Sequence, residues 1–369
     1  MKKKVIIILL SLFLCFSALF STDYLNVRPF QLSLGYPLGT NGINAFEYSN
    51  VLSFNLIYGM NGGLDGVEFG SVFNYIHHNA NGVQISGAAN IVRKYSNGIF
   101  ITGAANLNLG PVKGVDIAGG LNLSGGHADG LFIAGGANIH LRTLDGVAIA
   151  GGVNMALGDA EGFTIAPVNL FFQNYFGVQI GVVNMANRMD GLQVGVVNVV
   201  NDGTEALPIG LVSFVKNGYF DLEFNANELS YLNANFKMGV PKFYNIYSVG
   251  YSVFEDAPVF RYGIGIGTSQ PVRYRHRVAF ELLEEQVIHD WNWNNNLSLL
   301  SSLHIDYRIR LGDSFTLVGG PSCNLFYTDQ LSDGEPTVMN IPRTFYEYTW
   351  PDSKLFAWFG WKLGFSYLL

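Results

Sequence analysis

Two textures of hydrophobic alternation run along this chain, and they change over near Gly218. Between Gly66 and Lys216, apolar residues recur at every second position in short stretches, as at Val83 and Ile85. Each stretch opens on a glycine and closes on small residues and an asparagine. Beyond Gly218 the alternation is longer and more aromatic: Phe220, Leu222 and Phe224 alternate with Asp221, Glu223 and Asn225. Further on, Leu303, Ile305, Tyr307 and Ile309 alternate with His304, Asp306, Arg308 and Arg310. A period of two is the signature of strands. No convincing amphipathic helix follows the first twenty-odd residues, so the pattern predicts an all-β chain.

The first texture is a tandem array. GVEFGSVFN starts at Gly66, GVQISGAAN at Gly82, GIFITGAAN at Gly98 and GVDIAGGLN at Gly114. Further copies start at Gly130, Gly146, Gly162, Gly177 and Gly191, and a degenerate copy, PIGLVSFV, ends near Lys216. The first seven starts are 16 residues apart, and the last two spacings shrink to 15 and 14. A strict period signals stacked identical units. Each unit ends on an asparagine, among them Asn90, Asn106, Asn122, Asn138 and Asn154. Stacked in register, these amides are expected to hydrogen-bond up a ladder. Two architectures fit. Each unit is one coil of a β-solenoid, or one strand and turn of a widened barrel. Meander turns normally vary in length, so the strict period favours the solenoid.

The second texture suits an outer-membrane-type antiparallel β-barrel, with lipid outside and water or ion pairs inside. Short turns are expected at residues 240–242, 268–272 and 312–314, and longer loops at 285–294 and 329–353. Two further barrel strands are expected near residues 25–36 and 51–58. With eight after the array they make ten. The implied division is a leader at 1–21, N-terminal barrel strands at 22–63, repeats at 64–217 and C-terminal barrel strands at 218–369. The last strand is the most regular, with Leu355, Ala357, Phe359, Trp361, Leu363, Phe365, Tyr367 and Leu369 on one face. Its end, Lys362-x-Gly364-x-x-Tyr367-x-Leu369, resembles the C-terminal assembly signal of outer-membrane barrels.

Composition narrows the picture. Aromatic residues make up 14% and charged residues 13%, with 44 glycines, a balance that fits barrels and solenoids better than helical domains. Lys2–Lys4, the apolar run from Val5 to Phe16, and small residues at Ser17, Ala18 and Ser21 have the layout of a secretory signal peptide. Its removal takes three lysines and moves the net charge from −7 to −10. That excludes the basic surface nucleic-acid binding requires. Only Cys323 then remains, so no internal disulfide forms.

Little in the sequence points to catalysis. His77-His78 lacks cysteines or carboxylates at ligand spacing. The alternating glycines from Gly263 to Gly267 precede no helix and make no phosphate loop. His289-Asp290 has no second carboxylate pair nearby. No catalytic, cofactor or metal site is expected, and repeated amides without carboxylates bind cations poorly. The lumen-facing charges are more informative. Arg273, Arg275 and Arg277 share a face, and Arg308 and Arg310 belong to the next strand. A symmetric connecting loop would bring Arg273 near Asp306 and Arg275 near His304. They form either an ion-pair network filling a small barrel or an anion-attracting constriction.

The units GVQIGVVN and GLQVGVVN resemble the surface-repeat proteins of spirochaetes and Bacteroidetes, with tandem G-[FIVL]-Q-[FIV]-x-G-[LV]-x-N units. The opening PLGTNGINAFEYSNVLSFNLIYG and the closing YGIGIGTS and KLFAWFGWKLGFSYLL also look like that group. The Gln of the motif is often replaced, as at Phe100, Asp116 and Ala148. The resemblance implies a cell-envelope location and no defined activity. The expectation is a non-enzymatic outer-membrane or surface protein with a structural or interaction role; the alternative is a channel for small anionic solutes. Expected partners are outer-membrane lipid, the barrel-assembly machinery and an unidentified envelope ligand, with no nucleic acid.

Overall fold

The structure, a computed structural model, describes residues 25–252, 258–289, 297–332, 335–336 and 341–369. The expected leader and Asp290 lie outside the described residues. The described residues are 76% strand and 2% helix, and they form a parallel β-solenoid of about 10 turns and a closed eight-stranded antiparallel barrel. Two compact units meet in sequence at Val194 and Gly195.

In the first unit each repeat is one coil. A seven-residue strand such as Ala128–Ala134 turns through two small residues into a four-residue strand, Ala137–His140. A second bend leads into the next coil. Equivalent residues pair in parallel one repeat apart, Gly114 with Gly130 and Asn122 with Asn138. The repeat glycine is required by backbone geometry. At Gly130 φ is 139°, and an added Cβ would lie 1.9 Å from the carbonyl oxygen of Gly114. L-residues rarely adopt this backbone, and the space is filled by the coil beneath.

The N-terminal strands correct one expectation. Residues 22–63 were expected to supply barrel strands, but Asn26–Gly35 and Tyr48–Asn55 pair in parallel, and the latter pairs in parallel with Gly63–Gly70. They are the first coils of the solenoid. A parallel partner one coil away has no place in an antiparallel meander, so the barrel has eight strands, not ten.

The second unit contains the last solenoid residues and the barrel. Its strands are β1 (Tyr219–Asn227), β2 (Leu232–Val240), β3 (Phe243–Ser252) and β4 (Val259–Arg273). They continue with β5 (His276–His289), β6 (Ser298–Arg310), β7 (Phe315–Thr328) and β8 (Lys354–Leu368). All neighbours are antiparallel, and β1 pairs with β8 to close the ring. Residues 268–272, expected as a turn, lie in β4, and the turn is Tyr274–Arg275. Residues 285–289, expected in a loop, continue β5. Eight strands leave an interior just wide enough for side chains to fill.

Candidate functional site

Alternation along the barrel strands sends polar groups inward and apolar groups outward. Ile264, Phe280, Leu282, Leu303, Ile305 and Leu363 are among the exposed outer residues. Inside, Asp221, Glu223, Lys237, Glu281, Asp306, Arg308 and Lys362 are all buried. Their strands bring them to one level. Lys237 Nζ lies 2.5 Å from both Glu223 Oε2 and Glu281 Oε1. Lys362 Nζ reaches Asp306 Oδ2 at 2.6 Å and an oxygen of each glutamate at 3.1 Å. Arg308 pairs with Asp221 and donates to Ser366 Oγ at 2.9 Å. Tyr244 Oη donates to Glu281 Oε1 at 2.8 Å, and Tyr219 Oη donates to Asp221 Oδ2 at 2.7 Å. Elsewhere in the interior Val259, Val287, Leu300, Phe326, Phe356 and Trp358 form one apolar cluster.

Glu223, Glu281 and Asp306 are close enough together to hold a cation. Two ammonium groups and a guanidinium already stand among them, so the network supplies its own cations. Four carboxylates face three cations, with tyrosine hydroxyls donating to two of those carboxylates. Buried charges need this degree of pairing, because one left alone is strongly destabilising.

The structure separates the five arginines. Arg308 alone sits in the network. Arg273 ends β4 and Arg275 lies in the turn, both exposed. Arg277 bonds Ser269 through Oγ at 2.8 Å and through the carbonyl at 2.6 Å. Arg310 is exposed and donates to the Gly312 and Asp313 carbonyls. The expected neighbours also change: His304 stands opposite Glu281, and Asp306 opposite Ala279. The register shifts because β5 runs on to His289 and its connection to β6 starts later than a loop at residue 285 would. Lys362 of the terminal motif points into the network, and Tyr367 and Leu369 point outward. At Gly364 a Cβ would lie 2.2 Å from the Phe224 carbonyl oxygen, so that position has room only for glycine.

In the first unit the polar residues are also inside. Asn90, Asn106, Asn122, Asn138 and Asn154 are buried and stacked. Each Nδ2 donates to the next Oδ1 at 2.9–3.1 Å, as in Asn90 to Asn106, Asn122 to Asn138 and Asn154 to Asn169. The variable position two residues after the repeat glycine faces inward too: Glu68, Gln84, Phe100, Asp116 and Phe132 are buried in one column. Gln84 donates to Glu68 at 2.7 Å, and Asn108 donates to Asp116 at 2.6 Å. Burial pushes the Asp116 carboxyl up to about 7 and the unpartnered His140 imidazole down to about 3. Sequence reasoning missed the Glu223–Lys237–Glu281–Lys362 cluster. The available signal was the shared inward phase of those positions on β1, β2, β5 and β8.

Fold and site define a chain that combines a parallel β-solenoid carrying a buried asparagine ladder with a closed antiparallel barrel carrying a buried ionic network. No family model, curated protein or solved structure matches it.

Proposed function

We propose that the protein is a non-enzymatic component of the outer membrane of a diderm bacterium, anchored by its barrel and serving a structural or interaction role. The observation that carries this reading is the inverted polarity of the barrel, with paired charges within and aliphatic and aromatic side chains on the outer wall. Water-soluble barrels gain stability by the opposite arrangement, whereas a lipid-facing wall requires this one. The leader layout, the terminal-strand motif and the resemblance to surface-repeat proteins support export and recognition by the barrel-assembly machinery. A channel for small anions is the weaker reading, since Lys237, Lys362 and Arg308 are spent on carboxylates in a filled interior.

The test is fractionation of cells expressing the whole chain, with heat-modifiable gel mobility and planar-bilayer recording of the purified protein. Outer-membrane recovery, a folded band of altered mobility and no steady conductance are expected. The Tyr367→Asp variant should be exported and fail to insert. Recovery of the parent in a soluble fraction would overturn the reading. An anion-selective conductance that falls on Arg308→Gln substitution would replace it with the channel.

A further inference from the structure

The solenoid turns apolar side chains outward as well as inward. Positions one and three residues after each repeat glycine point outward from one face, and those seven and nine residues after it (six and eight in the shortened repeats at Gly162 and Gly177) from the other. From Val67 to Val194 none of these four columns contains a charged or amide side chain. One reads Val83, Ile99, Val115, Leu131 and Val147, and its neighbour Ile85, Ile101, Ile117, Ile133 and Ile149. The turn that joins the two faces is made of small, uncharged residues such as Gly103-Ala104, Gly119-Gly120 and Gly135-Gly136. Charge is confined to the other turn. Every Asp, Glu, Lys and Arg between Leu64 and Val194, except the inward Glu68 and Asp116, lies between the end of a coil's second strand and the next repeat glycine. Arg93, Lys94, Arg142 and Asp159 are exposed there.

We propose that this unit is a membrane blade: both apolar faces and the small-residue edge between them lie among the acyl chains of one bilayer leaflet, with the charged edge at the headgroups. The inference extends the membrane reading of the barrel to the rest of the chain. Three observations favour lipid over a protein partner. A second copy or another protein would cover one face, whereas a fluid solvent wraps both faces and the edge between them. Each arm of four or five residues spans roughly 13–16 Å at strand rise, close to half of a hydrocarbon core of about 30 Å. The backbone at the small-residue edge is paired coil to coil. Gly120 N–H donates to the Ala104 carbonyl at 2.9 Å, and Gly136 N–H to the Gly120 carbonyl at 2.9 Å. Backbone entering hydrocarbon must have its polar groups satisfied in this way. No helix among the described residues is long and apolar enough to cross a membrane, so any contact with lipid falls to the strands.

The experiment places a bimane probe on single cysteines of the whole protein, in a Cys15→Ser, Cys323→Ser background, reconstituted into phosphatidylcholine vesicles. The sites are Ala104→Cys on the small-residue edge, Val115→Cys on a face, Asp129→Cys on the charged edge and Leu303→Cys on the barrel wall. Nitroxide acyl chains should quench the probes at 104, 115 and 303 at least threefold more than the probe at 129, and aqueous iodide should show the reverse order. If 303 responds to lipid while 104 and 115 respond to iodide as 129 does, the blade is refuted and the barrel reading stands. If 104 and 115 are shielded from both quenchers, protein covers the faces and the blade is refuted. If 104 and 115 respond to lipid and 303 does not, the blade holds and the barrel reading falls.

Discussion

Asn122 sits at the middle of the amide ladder, and replacing it with alanine tests whether the ladder holds the coils together. The side chain donates to Asn138 Oδ1 at 2.9 Å, to the Ile133 carbonyl at 2.9 Å and to the Asp116 carbonyl at 3.1 Å. It accepts from Asn106 Nδ2 at 3.0 Å. Truncation removes all four contacts. Asn106 keeps two carbonyl acceptors, on Phe100 and Ile117, so its amide is not stranded. Asn138 Oδ1 loses its donor in a site closed to water. At roughly 1 kcal/mol per net hydrogen bond, with about 1–3 kcal/mol for a stranded buried acceptor, the loss should be about 4 kcal/mol. The five tryptophans all lie beyond residue 290, far along the chain from the repeats. The readout is therefore the local opening free energy from hydrogen exchange of peptides covering residues 114–140. Leu123→Ala, on the outward face next door, is the control and should cost about 1–2 kcal/mol, because the outward side chain is only partly buried in the folded coil. A loss below about 1 kcal/mol for Asn122→Ala, or equal losses for the two variants, would show that backbone pairing alone sets coil stability.

Two further predictions follow from the same interior. Burial raises the Asp116 carboxyl from its ordinary 3.8 to about 7, so the folded coil binds this proton more tightly than the unfolded chain. Its contribution is therefore complete below about pH 4 and is lost as pH rises through about 7, by roughly 4 kcal/mol in all. Asp116→Asn should be more stable than the parent at pH 8 and about equal to it at pH 4 in denaturant titrations followed by circular dichroism; a parent advantage at pH 8 would refute the argument. Deletion of residues 114–129 removes one coil and leaves Gly98 to pair with Gly130, so trypsin resistance and strand content should survive. Deletion of residues 114–121 leaves half a coil and should abolish both, and equal damage by the two deletions would contradict the stacked-coil energetics.

The repeat period, the in-register asparagines and the outward stripe of the last strand could all be read from the sequence, because each is a local pattern repeated many times. Strand direction was harder. Residues 25–58 carry the same alternation whether they join a parallel coil or an antiparallel wall, and only the partner decides. Polarity was harder still. Val83 and Ile85 alternate with Gln84 in either case, and period two does not say which set faces inward. The arginines fail for a third reason. Where a turn falls sets the pairing of everything after it, and a turn at Tyr274–Arg275 rather than at 268–272 puts Arg273 and Arg277 on different strands. The ionic network depends on that long-range register, so its members were visible singly and not as a group.

Coils that match their neighbours so closely have no intrinsic reason to stop. The upper rim of one coil is the template for the next, and the same hydrogen-bonding edge would accept a coil from another molecule as readily as one from its own chain. Growth is limited at both ends. Near the start, Leu38–Gly39 folds back antiparallel over Ser33 and Gly35 and occupies part of the first rim. Within the second unit, Asn245 Nδ2 and Tyr247 Oη donate to the Gly210 and Leu211 carbonyls, each at 2.6 Å, and occupy part of the last one. These contacts cover part of each rim. A filament of solenoids joined rim to rim needs both rims open, so it is the state that loss of both stops would release.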